Sequence, residues 1–161
     1  MAGLRWVGAK AKVTSVRGDK VGGPIRWRMH LASPPEVVYG ALSTDQGRAS
    51  FWAESAEERN GIIHFRFING VKVAGTILER HPPLRFSVDY MGGPATFDLA
   101  PDGAGGTDLL LTHEGVEAAD WNETHAGWLN VLFPLKAWVV HGVDLRNHDP
   151  RRLWDDGFAD Q

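Results

Sequence analysis

Two histidines and a tyrosine are the side chains of this sequence best suited, by type and position, to move a proton. His113 lies near the end of an alternating apolar segment, His125 falls on the apolar stripe of a helical one, and Tyr90 ends another alternating run. An imidazole exchanges protons near neutral pH and can orient a ligand carbonyl. An interior pair would therefore suit an enolisable ligand, with electrostatic placement in a dry pocket supplying most of the rate. Arg66 and Asp89 would add to such a site, but strand parity puts them opposite the apolar face. His30, His64, His81, His141 and His148 read as surface residues. Other chemistries lack their residues. The chain has no cysteine, which removes thiolate metal sites, a cysteine nucleophile and disulfides. No H-E-x-x-H pair occurs, and His113-Glu114 alone is too little to hold a metal. There is no G-x-S-x-G elbow and no G-x-G-x-x-G between a strand and a helix. No catalytic residue is assigned, and neither a cofactor nor a metal is expected.

A second group of residues could line a cavity. The chain carries seven tryptophans, and a buried aromatic removes roughly 150–250 Å² from water, so they need dry places to go. If Trp27 and Met29 face inward, parity brings Phe65 and Phe67 with them, then Phe86, Val88 and Tyr90, then Phe97. Trp52 follows a short helix, and Trp121, His125, Trp128 and Leu132 share a helical face with them. With His113, these form the expected lining of a ligand pocket, mostly apolar with a few polar groups. The plainer alternative is that they pack as a solid core.

The elements that must position them follow from periodicity and punctuation. Ile25 to Leu31 alternates cleanly, as a half-buried strand does. Ser33-Pro34-Pro35-Glu36 has the residues of a helix start, with Ser33 as cap and Glu36 completing a capping box. A short helix over VVYGAL and a second from Thr44 or Asp45 are expected next. Asn60-Gly61 and Asn69-Gly70 signal two-residue type I′ hairpin turns. They separate strands over Ile62–Ile68 and Val71–Leu78, and further strands follow at Leu84–Tyr90, Ala95–Leu99 and Thr107–His113. Tight turns between consecutive strands make an antiparallel meander. From Asp120, capped with Glu123, to about Arg146 the apolar spacing of three and four predicts one amphipathic helix, kinked at Pro134. Leu153, Trp154 and Phe158 stand out in an otherwise charged tail and suggest an arm that docks on its own or a neighbouring chain.

Composition sets outer bounds. At 161 residues the chain makes one domain. A formal charge of −3 offers no footprint for nucleic acid or an anionic membrane surface. The opening MAGLRWVGAKAKVTSVRGDK has no continuous apolar run of the secretory kind, and no stretch is long and apolar enough for a membrane span. With no cysteine, a cytoplasmic setting is the expectation.

At this point the residues resemble a known family. SPPEVVYGALSTDQGRASFW, GTILERHPPLRFSVDY, GTDLLLTHEG and HAGWLNVLFPLKAWV are similar, in order, to the Bet v 1-like (START-type, SRPBCC) superfamily, and more narrowly to its Hsp90-ATPase-activator-homologue branch. The resemblance covers Ile25 to Asp144. It implies an α+β helix-grip fold: a curved antiparallel sheet around a long C-terminal helix, with two short helices after the first strand and an internal cavity. Residues 1–24 are read as an N-terminal extension, 25–147 as the helix-grip domain and 148–161 as a C-terminal tail. The leading functional expectation is a non-enzymatic carrier or sensor of a small hydrophobic molecule, lipid-like or aromatic. The alternatives are a polyketide cyclase- or aromatase-like enzyme using cavity histidines, and a partner of Hsp90-type chaperones. A homodimer through a sheet edge or the aromatic tail stays open.

Overall fold

The computed structural model describes residues 20–161, so most of the N-terminal extension lies outside the described residues. Strand β1 (Ile25–Leu31) leads to helices α1 (Pro35–Ser43) and α2 (Asp45–Ala49). Strands β2 (Ser55–Arg59), β3 (Ile62–Arg66), β4 (Lys72–His81), β5 (Arg85–Tyr90), β6 (Gly93–Pro101) and β7 (Thr107–His113) follow. The chain closes with α3 (Trp121–Gly127), α4 (Leu129–His141) and a short 3₁₀ turn at Trp154–Asp156. The seven strands form one antiparallel sheet in the order β1-β7-β6-β5-β4-β3-β2. The helices cover its inner face, which is the α+β helix-grip arrangement expected. No helix among the described residues is long and apolar enough to cross a membrane.

Strand parity holds residue by residue. On β1, Ile25 and Leu31 are buried and Trp27 and Met29 half-buried, while Arg26, Arg28 and His30 are exposed. Register then aligns the inward side chains across strands: Trp27 opposes Leu111, Leu111 opposes Phe97, and Phe97 opposes Phe86. Such cross-strand neighbours are the packing unit of a sheet. A parallel row runs Ile25, His113, Ala95, Val88, so His113 sits deep in the core side of the sheet.

Local details differ from the sequence reading in five places. Asn60 and Gly61, at φ 53° and 78°, form the expected type I′ turn. At Asn69-Gly70, by contrast, only Gly70 is left-handed. The Gly70 amide donates to the Phe67 carbonyl and the Phe67 amide to Val71, a three-residue loop closed by a bulge glycine. The Asn69 side chain is used to accept from the Val71 amide, which favours this longer loop. Ser33 does not cap α1: Pro34 holds the cap position without a side-chain bond, and the Ser33 hydroxyl donates instead to the Val139 carbonyl of α4 at 2.5 Å.

The other three differences lie in the C-terminal helical element. Asp120 occupies the N-cap of α3 but makes no side-chain cap bond, and Glu123 is engaged elsewhere, by Trp154. The element is long but segmented. Its interruption falls at Trp128, not at Pro134, which lies inside α4. There the Trp27 indole donates to the His125 carbonyl at 3.1 Å, the acceptor that a continuous helix would offer to residue 129. The helix ends at His141, short of Arg146, because Gly142 adopts φ 65° and its amide and that of Val143 return to Trp138 and Ala137.

The chain beyond Gly142 folds back on its own domain. Arg146 donates to the carbonyls of Ala53 and Ala49 at 2.7 and 2.6 Å. His148 bridges Glu54 and Asp144 at 2.7 and 2.9 Å. The Trp154 indole bonds Glu123, and the Asn130 amide reaches the Gln161 carbonyl.

Candidate functional site

Trp52 is the hinge of the aromatic interior, and α2 places it. Thr44 caps α2 by accepting from the Gly47 amide at 3.0 Å. Gly47 has to be glycine, since a Cβ there would stand 2.5 Å from the Ala41 carbonyl oxygen and 2.6 Å from its Cα. Next comes Arg48, fully buried. Its guanidinium donates twice to the Ala56 carbonyl, at 3.0 and 2.9 Å, once to Leu42 at 3.1 Å, and to Asp45 at 2.6 Å. Desolvation pulls its pKa below the ordinary arginine value, with Asp45 and Glu58 opposing. The Arg48 carbonyl accepts the Trp52 amide at 2.8 Å, so this buried cation holds the loop that delivers Trp52 to the core.

Around the Trp52 ring lie Phe65, Tyr90, Phe97 and Trp128, with centroids 5.0, 5.3, 5.5 and 5.9 Å away. Tilted and edge-on geometries dominate, as ring quadrupoles prefer. Behind them Trp128 donates its indole N–H to Nδ1 of His113 at 3.0 Å, and Nε2 of His113 lies 2.7 Å from the Tyr90 carbonyl. An indole can only donate, so Nδ1 is the acceptor and the proton sits on Nε2, donated to Tyr90. Burial holds the His113 pKa below its ordinary value, against the backbone bonds to Tyr90 and Gly93. His113 is a neutral imidazole with both nitrogens in use.

A cavity of about 330 Å³ opens beside this cluster, between the β3–β4 loop, the end of β5, the α3–α4 junction and the tail. Trp52, Phe67, Tyr90 and Trp128 line it, with Val71 and Val131. The structure thus brings four of the expected site residues together on one cavity wall. Burial raises the Tyr90 hydroxyl well above the ordinary phenol range, and the adjacent Trp52 N–H works the other way. Yet Trp52 Nε1 meets no partner within hydrogen-bond geometry, and among the described residues it is the buried side-chain polar atom left so. The N–H is buried beside the Tyr90 hydroxyl, on which it acts.

The other expected residues lie elsewhere. Phe65, Phe86, Val88, Phe97 and Leu132 are in the packed core, at most 1% exposed. Trp121, His125 and Trp27 form a separate stack: the His125 ring lies 4.6 Å from both indoles, and Trp121 donates to the Gly23 carbonyl. Met29 borders a larger, open depression of about 760 Å³ with Arg28, His30, Arg85, Asp98 and Asp108. Most of its charges are matched internally, Arg85 with Glu79 and Asp98, His30 with Asp108. Among the described residues no group of three or more histidines, cysteines or carboxylates could hold a metal ion.

Sequence reasoning missed several lining residues. Asn69 and Val71 enter through the longer hairpin loop, Glu123, Thr124, Gly127 and Asn130 through α3 and α4, and Trp154, Asp155 and Gln161 through the tail. The apolar residues of that charged tail were the signal that it docks. Gly127 is informative in its own right, because a Cβ added there meets nothing within 4 Å.

Comparison with known proteins bears on the same geometry. The family model described as activator of Hsp90 ATPase homolog 1-like protein matches residues 32–139. Among solved structures, the Aha1 dimer from Colwellia psychrerythraea is 24% identical, covers 74% of this chain and 97% of its own, and superposes with a TM-score of 0.67. Protein CV1439 from Chromobacterium violaceum is 27% identical over 73% of this chain and 96% of its own, with a TM-score of 0.58. CalU16 from Micromonospora echinospora is 22% identical over 74% and 77%, with a TM-score of 0.59. A comparison with curated proteins finds no match.

Proposed function

Because the chain belongs to the family of activator of Hsp90 ATPase homolog 1-like proteins, in which the sheet and the C-terminal helical element enclose the core, we propose that it binds a small, predominantly apolar ligand between them, as a carrier or sensor in the cytoplasm. The observation that carries this reading is the cavity walled by Trp52, Phe67, Tyr90 and Trp128. Its volume, about 330 Å³, is at the small end for ligand pockets and favours a compact ring system over a long lipid chain.

Binding without chemistry is preferred for a stated reason. General acid–base work needs a group within reach of the ligand and with a free site. Both nitrogens of His113 are engaged within the protein, and neither His113 nor His125 lines the cavity. The missing cysteines support the reducing compartment. Pairing of two copies is a separate proposal, favoured by the dimer solved for the Colwellia relative and tested by sedimentation.

Native mass spectrometry of the protein purified from its own cells tests the binding reading. The expected spectrum contains an adduct of a few hundred daltons that gentle activation removes. Loss of that adduct in Trp52→Ala supports the site; a bare protein that also stays silent in a screen of apolar and aromatic compounds contradicts it.

A further inference from the structure

The cavity is lined largely by aromatic residues, and the charged residues that line it are of one sign. Trp52, Trp128 and Trp154 converge on it together with Phe67 and Tyr90. Glu123 from α3 and Asp155 from the tail complete the lining, and among the described residues that line it none is lysine or arginine. The rest of the polar lining (Asn69, Thr124, Asn130, Gln161) is neutral. The Trp154 indole bonds one oxygen of Glu123, fixing that carboxylate at the mouth while its second oxygen remains a free acceptor.

Each feature selects for the same kind of guest. The π-face of tryptophan attracts a cation more strongly than that of any other side chain. Glu123 and Asp155 are exposed, so their charge favours a cation and disfavours an anion most at low ionic strength.

Resting on the reading that this cavity binds a small molecule, we propose that its ligand is a cationic amine. A ring system lies among Trp52, Phe67, Tyr90 and Trp128, and an ammonium group sits at the mouth against Trp154, Glu123 and Asp155. Fatty acids and other anionic amphiphiles are the wrong partners, because their carboxylates would face Glu123 and Asp155.

Three matched probes test this: (2-naphthylmethyl)trimethylammonium, its uncharged carbon isostere 2-neopentylnaphthalene, and the anion 2-naphthylacetate. Each is titrated into the full chain while the indole N–H resonances are followed by two-dimensional NMR. The cation should bind on the order of tenfold more tightly than the isostere, with the anion weakest. In the double variant Glu123→Gln, Asp155→Asn the ratio of cation to isostere affinity should fall to about threefold or less, with the dispersion of the amide spectrum confirming a folded protein. Equal affinities for cation and isostere, or tighter binding of the anion, with both shifting the tryptophan resonances, would overturn the cationic class and leave the pocket standing. A protein that responds to none of the three would overturn the pocket and the ligand class together.

Discussion

The indole N–H of Trp128 donates to Nδ1 of His113 at 3.0 Å, and the same imidazole reaches the Tyr90 carbonyl at 2.7 Å. One buried ring therefore ties the α3–α4 junction to β7 and β5. In doing so it sets Trp128 and Tyr90, two walls of the cavity, at a fixed separation of 5.5 Å between ring centroids.

Removing that ring should cost stability before it costs anything else. His113→Leu leaves the Trp128 N–H and the Tyr90 carbonyl unpaired in the core, an expected loss of about 2–4 kcal/mol in urea unfolding. His113→Leu and Trp128→Phe should be non-additive, since they break one shared bond. Additive losses would show that the bond carries no coupling.

Protonation should act on the same fastener. Burial lowers the folded-state pKa of His113 below its ordinary value, so below about pH 6.5 the unfolded chain takes up a proton that the folded one resists. The stabilisation is present above that pH and is lost as pH falls through the lower folded value, because an Nδ1–H would face the Trp128 N–H. The stability advantage of the wild type over His113→Leu should shrink as pH falls from 7.5 to 5. A second decline, below about pH 4, belongs to Asp144. Burial raises its pKa, but the bonds from Arg146 and His148 outweigh this and hold it at about 2.

The tail should loosen in the opposite direction. Burial lowers the His148 pKa, but bonds to Asp144 and Glu54 more than offset this and raise it, so its contribution is complete below about pH 6.5 and fades as pH rises through the folded value. Hydrogen exchange, corrected for its intrinsic pH dependence, should show residues 147–161 less protected at pH 8.5 than at pH 6. In Asp144→Asn that difference should shrink. Equal protection at both pH values would exclude His148 as a latch.

Arg48 should resist conservative replacement. Its fork makes two bonds to one carbonyl, of Ala56, which a lysine ammonium cannot reproduce. Arg48→Lys is expected to lose about 3 kcal/mol and to broaden the Trp52 indole resonance. Wild-type stability in that variant would show that the fork is dispensable.

Much of the frame was legible in the chain because period-two alternation and strand pairing are local. Ile25 to Leu31 shows its inward face in the sequence itself, and Asn60-Gly61 turns as its residue types demand. Asn69-Gly70 misled because the same dipeptide also suits a three-residue loop, and the choice rests on Asn69 bonding Val71. The long apolar run from Trp121 gave no sign of its interruption, since the Trp27 indole that meets the His125 carbonyl is 98 residues away in the chain. Inward parity picked out core and pocket residues alike: Phe86 and Tyr90 share a face of β5, and only Tyr90 reaches the cavity. The mouth was the least legible part, because Trp154 and Asp155 come to it through tertiary contacts that no periodicity encodes.

Gly127 gives the most direct measurement of whether the cavity is a binding site. It lines the cavity, and a Cβ added there meets nothing within 4 Å, so Gly127→Phe should place its ring in the space without straining α3. In the wild type, 2-naphthol should shift the indole resonances of Trp52, Trp128 and Trp154 saturably. In Gly127→Phe, with stability to urea unchanged or slightly higher, affinity should drop by at least about tenfold, the loss expected when a guest's apolar contacts are replaced by a resident ring. Undiminished binding of 2-naphthol by a folded Gly127→Phe would place the ligand elsewhere and contradict the account.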